Sequence, residues 1–285
     1  MATTDRPAAQ LNEALAAIEQ WPVDVAGAGV TDAATTLATH GAVDTVLELA
    51  SVTKPLTAYA VLIAAQDGVL HLDEPVTGDH VPENATVRHL LAHASGLPPE
   101  PDMPTVAPGR LRVYSNWGYD LLGDLVADRV GLPFADHLAV EVLKPLDMTA
   151  TVLEGSPASA ARGTVGDLLA FARELLEPTL LDPDLHREAT SVAFPGLDGV
   201  VPGFGRQTPN DWGLGVEVKS TKRPHWTGET LSPATFGHFG LSGSQLWVDP
   251  ERGIATVSLA DREFGDWARE AWPAFNDRLA SVFDG

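Results

Sequence analysis

The sequence predicts an α+β fold: one antiparallel β-sheet assembled from both ends of the chain, flanked by N- and C-terminal helices, with a mostly helical region inserted between the strands. Three observations carry this. Short strand-like runs occupy 23–30 and 35–39 near one end and 212–219, 234–239, 244–249 and 253–260 near the other. Helical patterns fill 55–67, 87–94, 118–130, 133–142 and 164–176, and helical runs stand close to both termini. Strands at both ends imply that the ends share one sheet. We expect a single domain over 1–285, with an α/β part from 1–54 and 195–285 and a helical part from 55–194.

The elements follow in order. Ala8 to Trp21 reads as an amphipathic helix with Leu11, Leu15 and Ile18 on one face. Val23 to Val30 and Thr35 to Thr39 read as strands, and Val46-Leu47-Glu48-Leu49 leads to Ser51. The run from Leu56 to Ala65 is too apolar for a surface helix, so it is expected inside. Pro55, lacking an N–H, is tolerated near a helix start, which puts that start close to Ser51. Residues 98–109 are Pro-rich and 195–210 rich in Gly and Pro; both are candidate cleft walls. A last helix runs from about Trp267 to Phe283.

Composition narrows the partners. The chain of 285 residues carries 18 basic and 39 acidic side chains, a net charge of −21, which repels nucleic acid and anionic membrane surfaces. There is no cysteine, so neither disulfides nor thiol chemistry are available. Met1 to Pro7 lacks the apolar core of a secretory signal, and no stretch approaches about 18 apolar residues, so the expected location is cytoplasmic. His89 and His93 share a helix face without a completing carboxylate; no metal and no cofactor are expected. His93 is instead expected to bond the backbone at the Ser95-Gly96 turn.

The chemistry concentrates in three places. Ser51-Val52-Thr53-Lys54 sets a hydroxyl and an amine on one helix face, in a chain with four lysines. Burial disfavours the ammonium form, so Lys54 can accept a proton near neutral pH and activate Ser51. The free N–H groups at the helix start make the Ser51 amide half of an oxyanion hole. Tyr114-Ser115-Asn116 forms a loop at a helix start that can aim a phenol and an amide into a cleft. His238-Phe239-Gly240 leads into the alternating run Ser244 to Val248, where a glycine lets a ligand approach the strand edge.

In this order the three elements resemble the serine β-lactamase and penicillin-binding-protein superfamily, above all its class C-like branch. Leu72 to Val76, Leu90 to Leu97, Pro145 to Thr149, Trp212 to Gly215, Gly237 to Gly240 and Trp247 to Pro250 also look typical of that branch, covering roughly 45–260. The resemblance implies a β-lactamase/transpeptidase-like fold. It makes Ser51 the acylated nucleophile, Lys54 its base, Tyr114 a phenolate-capable acid/base, and Asn116 the group that holds the substrate amide and orients Lys54. The backbone N–H of Leu241 would be the second oxyanion donor. His238, Phe239 and Gly240 would contact substrate, with Trp117 and Trp212 lining the pocket or packing in the core.

One departure bears on substrate. Relatives that act on β-lactams or cell-wall peptides usually open the third motif with lysine, and His238 supplies no fixed cation. The expected activity is therefore esterase-like, on small esters. D-amino-acid peptidase or amidase, DD-carboxypeptidase and β-lactamase activities are the alternatives, and a catalytically silent binding protein is the alternative of another class. Residues 152–164 look shorter than in larger relatives, which predicts an open cleft tolerant of varied acyl groups.

Overall fold

The two ends of the chain meet in the middle of one sheet. In the computed structural model, which describes residues 5–99 and 103–284, strand β1 (Ala26–Thr31) pairs antiparallel with the last strand, β11 (Ile254–Ala260), with Ala28 opposite Ser258. Strand β2 (Thr36–Gly41) flanks β1, while β10 (Ser244–Asp249), β9 (Phe236–Gly240) and the short β8 (Glu217–Val218) extend the other side, giving the order β2-β1-β11-β10-β9-β8. All pairings in this sheet are antiparallel.

Alternation along the strands builds two cores. On one face Trp247, Phe239 and Ile254 pack with Trp272, Phe275 and Leu279 of helix α8 (Asp266–Ser281), and the Trp247 indole donates to Asn276 Oδ1 at 2.9 Å. Helix α1 (Asp5–Leu15) joins this layer and continues as a 3₁₀ turn through Gln20, so the expected single helix to Trp21 changes pitch at Ala16. On the other face Leu246, Val248, Val257 and Leu259 join the larger core of the helical region.

That region holds α2 (Thr53–Gln66), α3 (Val87–Leu91), α4 (Asn116–Val130), α5 (Phe134–Leu138), α6 (Val165–Leu176) and α7 (Pro183–Thr190). Every residue of α2 from Thr53 to Ala64 is buried, as its composition demands. The region also carries two short strands, β4 (Val152–Leu153) and β5 (Ala161–Gly163), which pair with each other, β5 also pairing with β3 (Leu47–Glu48), in a separate small sheet. Strands β6 (Gly199–Val201) and β7 (Gly205–Gln207) form a hairpin with Gly203 in its turn.

One strand expectation needs correction. The run 212–219 is a strand only at Glu217–Val218; before that, the Gly213 N–H donates to the Val216 carbonyl and the chain folds back. Gly215 sits at φ +103, and a Cβ there would lie 2.1 Å from Ala58 Cβ, so this turn presses directly on α2. Of the Pro-rich loop 98–109, residues 100–102 lie outside the described residues, as do Met1 to Thr4. No helix among the described residues is long and apolar enough to cross a membrane.

Candidate active site

Lys54 lies in the first turn of α2, completely buried, and its Nζ has three neighbours: Ser51 Oγ at 3.3 Å, Asn116 Oδ1 at 2.7 Å and the Ala158 carbonyl at 2.9 Å. The Asn116 and Ala158 oxygens only accept in this arrangement. A neutral amine has two N–H bonds and one lone pair, so satisfying those two acceptors leaves the lone pair for the Ser51 hydroxyl. Burial lowers the Lys54 pKa to about 7, with the Asp120 charge pulling it back upward. The base form is therefore well populated near neutrality.

Ser51 itself lies in a 3₁₀ turn, Ala50–Val52, that precedes α2 proper. Ala50 takes φ +43, a left-handed conformation unusual for a residue with a Cβ, which places strain beside the nucleophile. Tyr114 donates to Ser51 Oγ at 2.7 Å, so the serine oxygen accepts from the phenol while its own proton is free to go to Lys54. Burial pushes the Tyr114 hydroxyl well above its ordinary value, against the smaller opposing effect of the Ser51 hydrogen bond. That direction favours the protonated phenol, which is the donor in the hydrogen bond to Ser51.

The Tyr114 loop is braced from three sides. Ser115 caps α4 by accepting from the Gly118 N–H at 3.1 Å, and its hydroxyl donates to the Pro98 carbonyl at 2.7 Å. The Ser115 N–H donates to His93 Nδ1 at 3.1 Å, so His93 serves this loop rather than the Ser95-Gly96 turn. The other member of the histidine pair, His89, bonds Thr86 Oγ1 at 2.8 Å and stacks on Phe194. Arg112, buried, donates to the carbonyls of Ala92, Ala193, Phe194 and Asn210, tying the segment leading to Tyr114 to three other stretches of the chain. Residue-type reasoning misses Arg112 and the Ala158 carbonyl; nothing in the run Arg110-Leu111-Arg112 tells the buried arginine from the exposed one.

Strand β9 closes the site. A Cβ on Gly240 would lie 2.3 Å from the Leu49 carbonyl and 3.0 Å from the Ser51 nitrogen, so only glycine lets the strand end run against the nucleophile turn. Leu241 follows at once, exposed at the mouth of the cleft. His238 faces inward, packed on Tyr114 and Trp212, with Nδ1 2.6 Å from the Phe239 carbonyl. Phe239 does not line the cleft: successive side chains of a strand point to opposite faces, and Phe239 packs in the core with Trp272 and Phe264. Trp212 is buried behind Tyr114 and His238, and Trp117 is half-buried against the helical core.

The cleft beside Tyr114 and Asn116 has a volume of about 580 Å³ and an apolar character set by Leu111, Val113, Val200, Pro202 and Leu241. Both loop regions expected as walls contribute, through Pro99 and through the β6–β7 hairpin. The ionic feature on this wall is Arg206, which pairs with Asp198 at 2.7 Å.

Behind Trp212, Lys222 is fully buried and donates to Glu217 Oε1 at 2.8 Å. Burial pushes the Glu217 carboxyl up, but Lys222 and His225 more than offset it and hold it well below the usual range. Burial, reinforced by Lys54, lowers His238 to about 3; His93 and His225 are lowered as well. A histidine depressed in the folded state contributes stability above its unfolded value, near 6.5, that is lost as pH falls toward the folded value. His238 alone should lose up to about 1.4 kcal/mol per pH unit in that window. Urea midpoints measured from pH 7 to pH 4.5 should fall steadily; a flat series would contradict the burial of neutral histidines.

A six-stranded antiparallel sheet with a helical insertion, and a Ser-x-x-Lys turn at their junction, defines the fold of β-lactamase-like serine hydrolases. The beta-lactamase family profile matches residues 14–280, and the chain belongs to that family. A crystal structure of a beta-lactamase from Mycobacterium bovis is 47% identical, covers 95% of this chain and 99% of its own, and superposes with a TM-score of 0.91. Protein flp of Staphylococcus aureus (strain NCTC 8325 / PS 47) is 30% identical over 151 residues, 42% of this chain but 30% of flp, so the match spans under a third of that relative. EstCE1, a hydrolase with promiscuous acyltransferase activity, shares the fold at 16% identity and a TM-score of 0.79, over 98% of this chain and all of its own.

Proposed function

We propose that this chain is a serine hydrolase that forms an acyl-enzyme on Ser51 and acts on small neutral esters with apolar acyl groups. The observation that carries this reading is the Lys54 environment, in which two carbonyl-type acceptors leave an amine lone pair directed to the Ser51 hydroxyl. Ser51 Oγ attacks the ester carbonyl carbon while its proton passes to Lys54. The tetrahedral oxyanion lies against the Ser51 and Leu241 N–H groups. Tyr114 protonates the leaving alkoxide and is reprotonated by the Lys54 ammonium, so the C–O bond breaks, alcohol departs and Ser51 is left acylated. Water then repeats the sequence on the acyl-enzyme, its proton passing through the same pair, and the acid leaves.

The preference for neutral substrates rests on the charges around the cleft. His238 stays uncharged at working pH, Arg206 is already paired, and Arg112 directs its donors to main-chain carbonyls, so among the described residues no cation of the cleft wall is left with open donors for a substrate carboxylate. A fluorophosphonate probe followed by intact mass should give one adduct, on Ser51; no adduct would favour a silent binding protein. In parallel, p-nitrophenyl acetate and butyrate should turn over while a chromogenic cephalosporin is barely hydrolysed.

The apolar wall sets a further expectation. Full burial of a methylene contributes about 0.8 kcal/mol, and a half-open cleft about half of that, so kcat/KM should rise only about twofold per added methylene from acetate to hexanoate. That shallow slope agrees with tolerance for varied acyl groups. Val200→Asp, on the exposed β6–β7 hairpin, should flatten the slope and leave acetate unaltered. A slope that survives the change would place the acyl chain elsewhere.

A further inference from the structure

We propose that Asp120 is a positioning residue for Lys54: it anchors the 156–160 turn that presents the Ala158 carbonyl, and its carboxylate supplies negative charge to the buried amine. The proposal rests on reading Lys54 as the base. Asp120 stands one helical turn beyond Asn116 on α4. Its Oδ1 accepts from the Ser156 hydroxyl, and Ser156 Oγ accepts in turn from the Ala158 N–H at 3.1 Å. The Ser156 carbonyl accepts from the N–H groups of Ser159 and Ala160, at 3.1 and 2.9 Å, which closes the turn.

The turn is docked on α2 by its carbonyls. Pro157 accepts from Thr57 Oγ1 at 2.6 Å and Ala158 accepts from Lys54 at 2.9 Å, while the Ala161 N–H donates to Thr53 Oγ1 at 3.1 Å. On the other side α4 fits the turn closely, since a Cβ on Gly123 would lie 2.4 Å from Pro157 Cγ. The abbreviated stretch 152–164 thus completes the acceptor set that orients the amine.

Asp120 also differs electrostatically from the other groups around Lys54. Tyr114 and Tyr119, whose rings lie 4.6 and 5.5 Å from Nζ, are held protonated, and His93 and His238 are held neutral. Glu217 is ionised but is neutralised by Lys222 and acts on Tyr114, His93 and His238 from behind. Among the described residues no basic side chain lies within ion-pairing distance of Asp120. Its charge is therefore not spent on a salt bridge.

Only four lysines are present, so the intact protein labelled at lysine 13Cε gives few NMR signals to resolve, and the Lys54 signal is assigned by its loss in Lys54→Met. Asp120→Asn keeps an oxygen for the Ser156 hydroxyl and removes the charge. The Lys54 titration midpoint should fall by about half a pH unit or more, and the acid limb of ester kcat/KM should move down with it. Ser156→Ala keeps the charge and cuts the anchor; the midpoint should move little while kcat falls roughly tenfold or more. An unmoved midpoint in Asp120→Asn overturns the electrostatic half, and an unmoved kcat in Ser156→Ala overturns the anchoring half. Failure of the hydrolase reading is separate: wild-type protein would then lack ester turnover, while the NMR midpoint would still respond to Asp120→Asn.

Discussion

Ser51→Ala should abolish ester turnover and fluorophosphonate labelling while leaving the fold intact. The serine side chain is half-buried and makes only the Tyr114 and Lys54 contacts, so its loss removes chemistry rather than packing. A reaction that depends on an acyl intermediate has no route left without the oxygen that carries the acyl group. The drop should exceed about three orders of magnitude, limited by whatever the oxyanion donors achieve with water alone. Circular dichroism and thermal melting of the variant should match the parent. Turnover retained within tenfold would place the nucleophile elsewhere.

Lys54→Met should produce the opposite pairing, a loss of at least about two orders of magnitude in kcat/KM together with a more stable protein. The amine is buried and its pKa is lowered to about 7, so the fold disfavours its charged form. The sign follows from linkage: a lysine depressed in the folded state contributes stability above its unfolded value, near 10.5, and that contribution is lost as pH falls toward 7. At neutral pH the amine is a net burden that methionine, similar in length and apolar, removes. The melting temperature should rise by several degrees. For the parent enzyme, kcat/KM should climb as pH rises through about 7, without a descending limb up to pH 9, because Tyr114 stays protonated. A destabilised Lys54→Met protein, or a rate that falls between pH 7 and pH 9, would contradict this account.

Much of this architecture is legible in the order of residue types. Ser51, Lys54, Tyr114 and Asn116 stand out because their functional groups sit in side chains, at spacings that helices and caps convert into proximity. The apolar block after Lys54 announces its burial, and strand patterns at both ends announce a shared sheet. What escapes has no such mark. The Ala158 acceptor is a main-chain oxygen, indistinguishable in sequence from any other. Helix α7 is short and mostly polar, so periodicity does not reveal it. The run 212–219 looks like a strand because Trp212, Leu214, Val216 and Val218 alternate, yet the glycines between them fold the chain onto α2. Phe239 escapes for a simpler reason: it adjoins His238 in sequence, but strand alternation sends neighbours to opposite sides.

The pairing of β1 with β11 has a consequence for biosynthesis. Emerging from the ribosome, β1 can pair with β2 at once, but its other edge must wait for β11, and Ser51 must wait equally for the glycine of β9 that seats against it. Catalytic competence should thus arrive in one late step, once the chain has been made through Ala260, with the unpaired edge of β1 exposed until then.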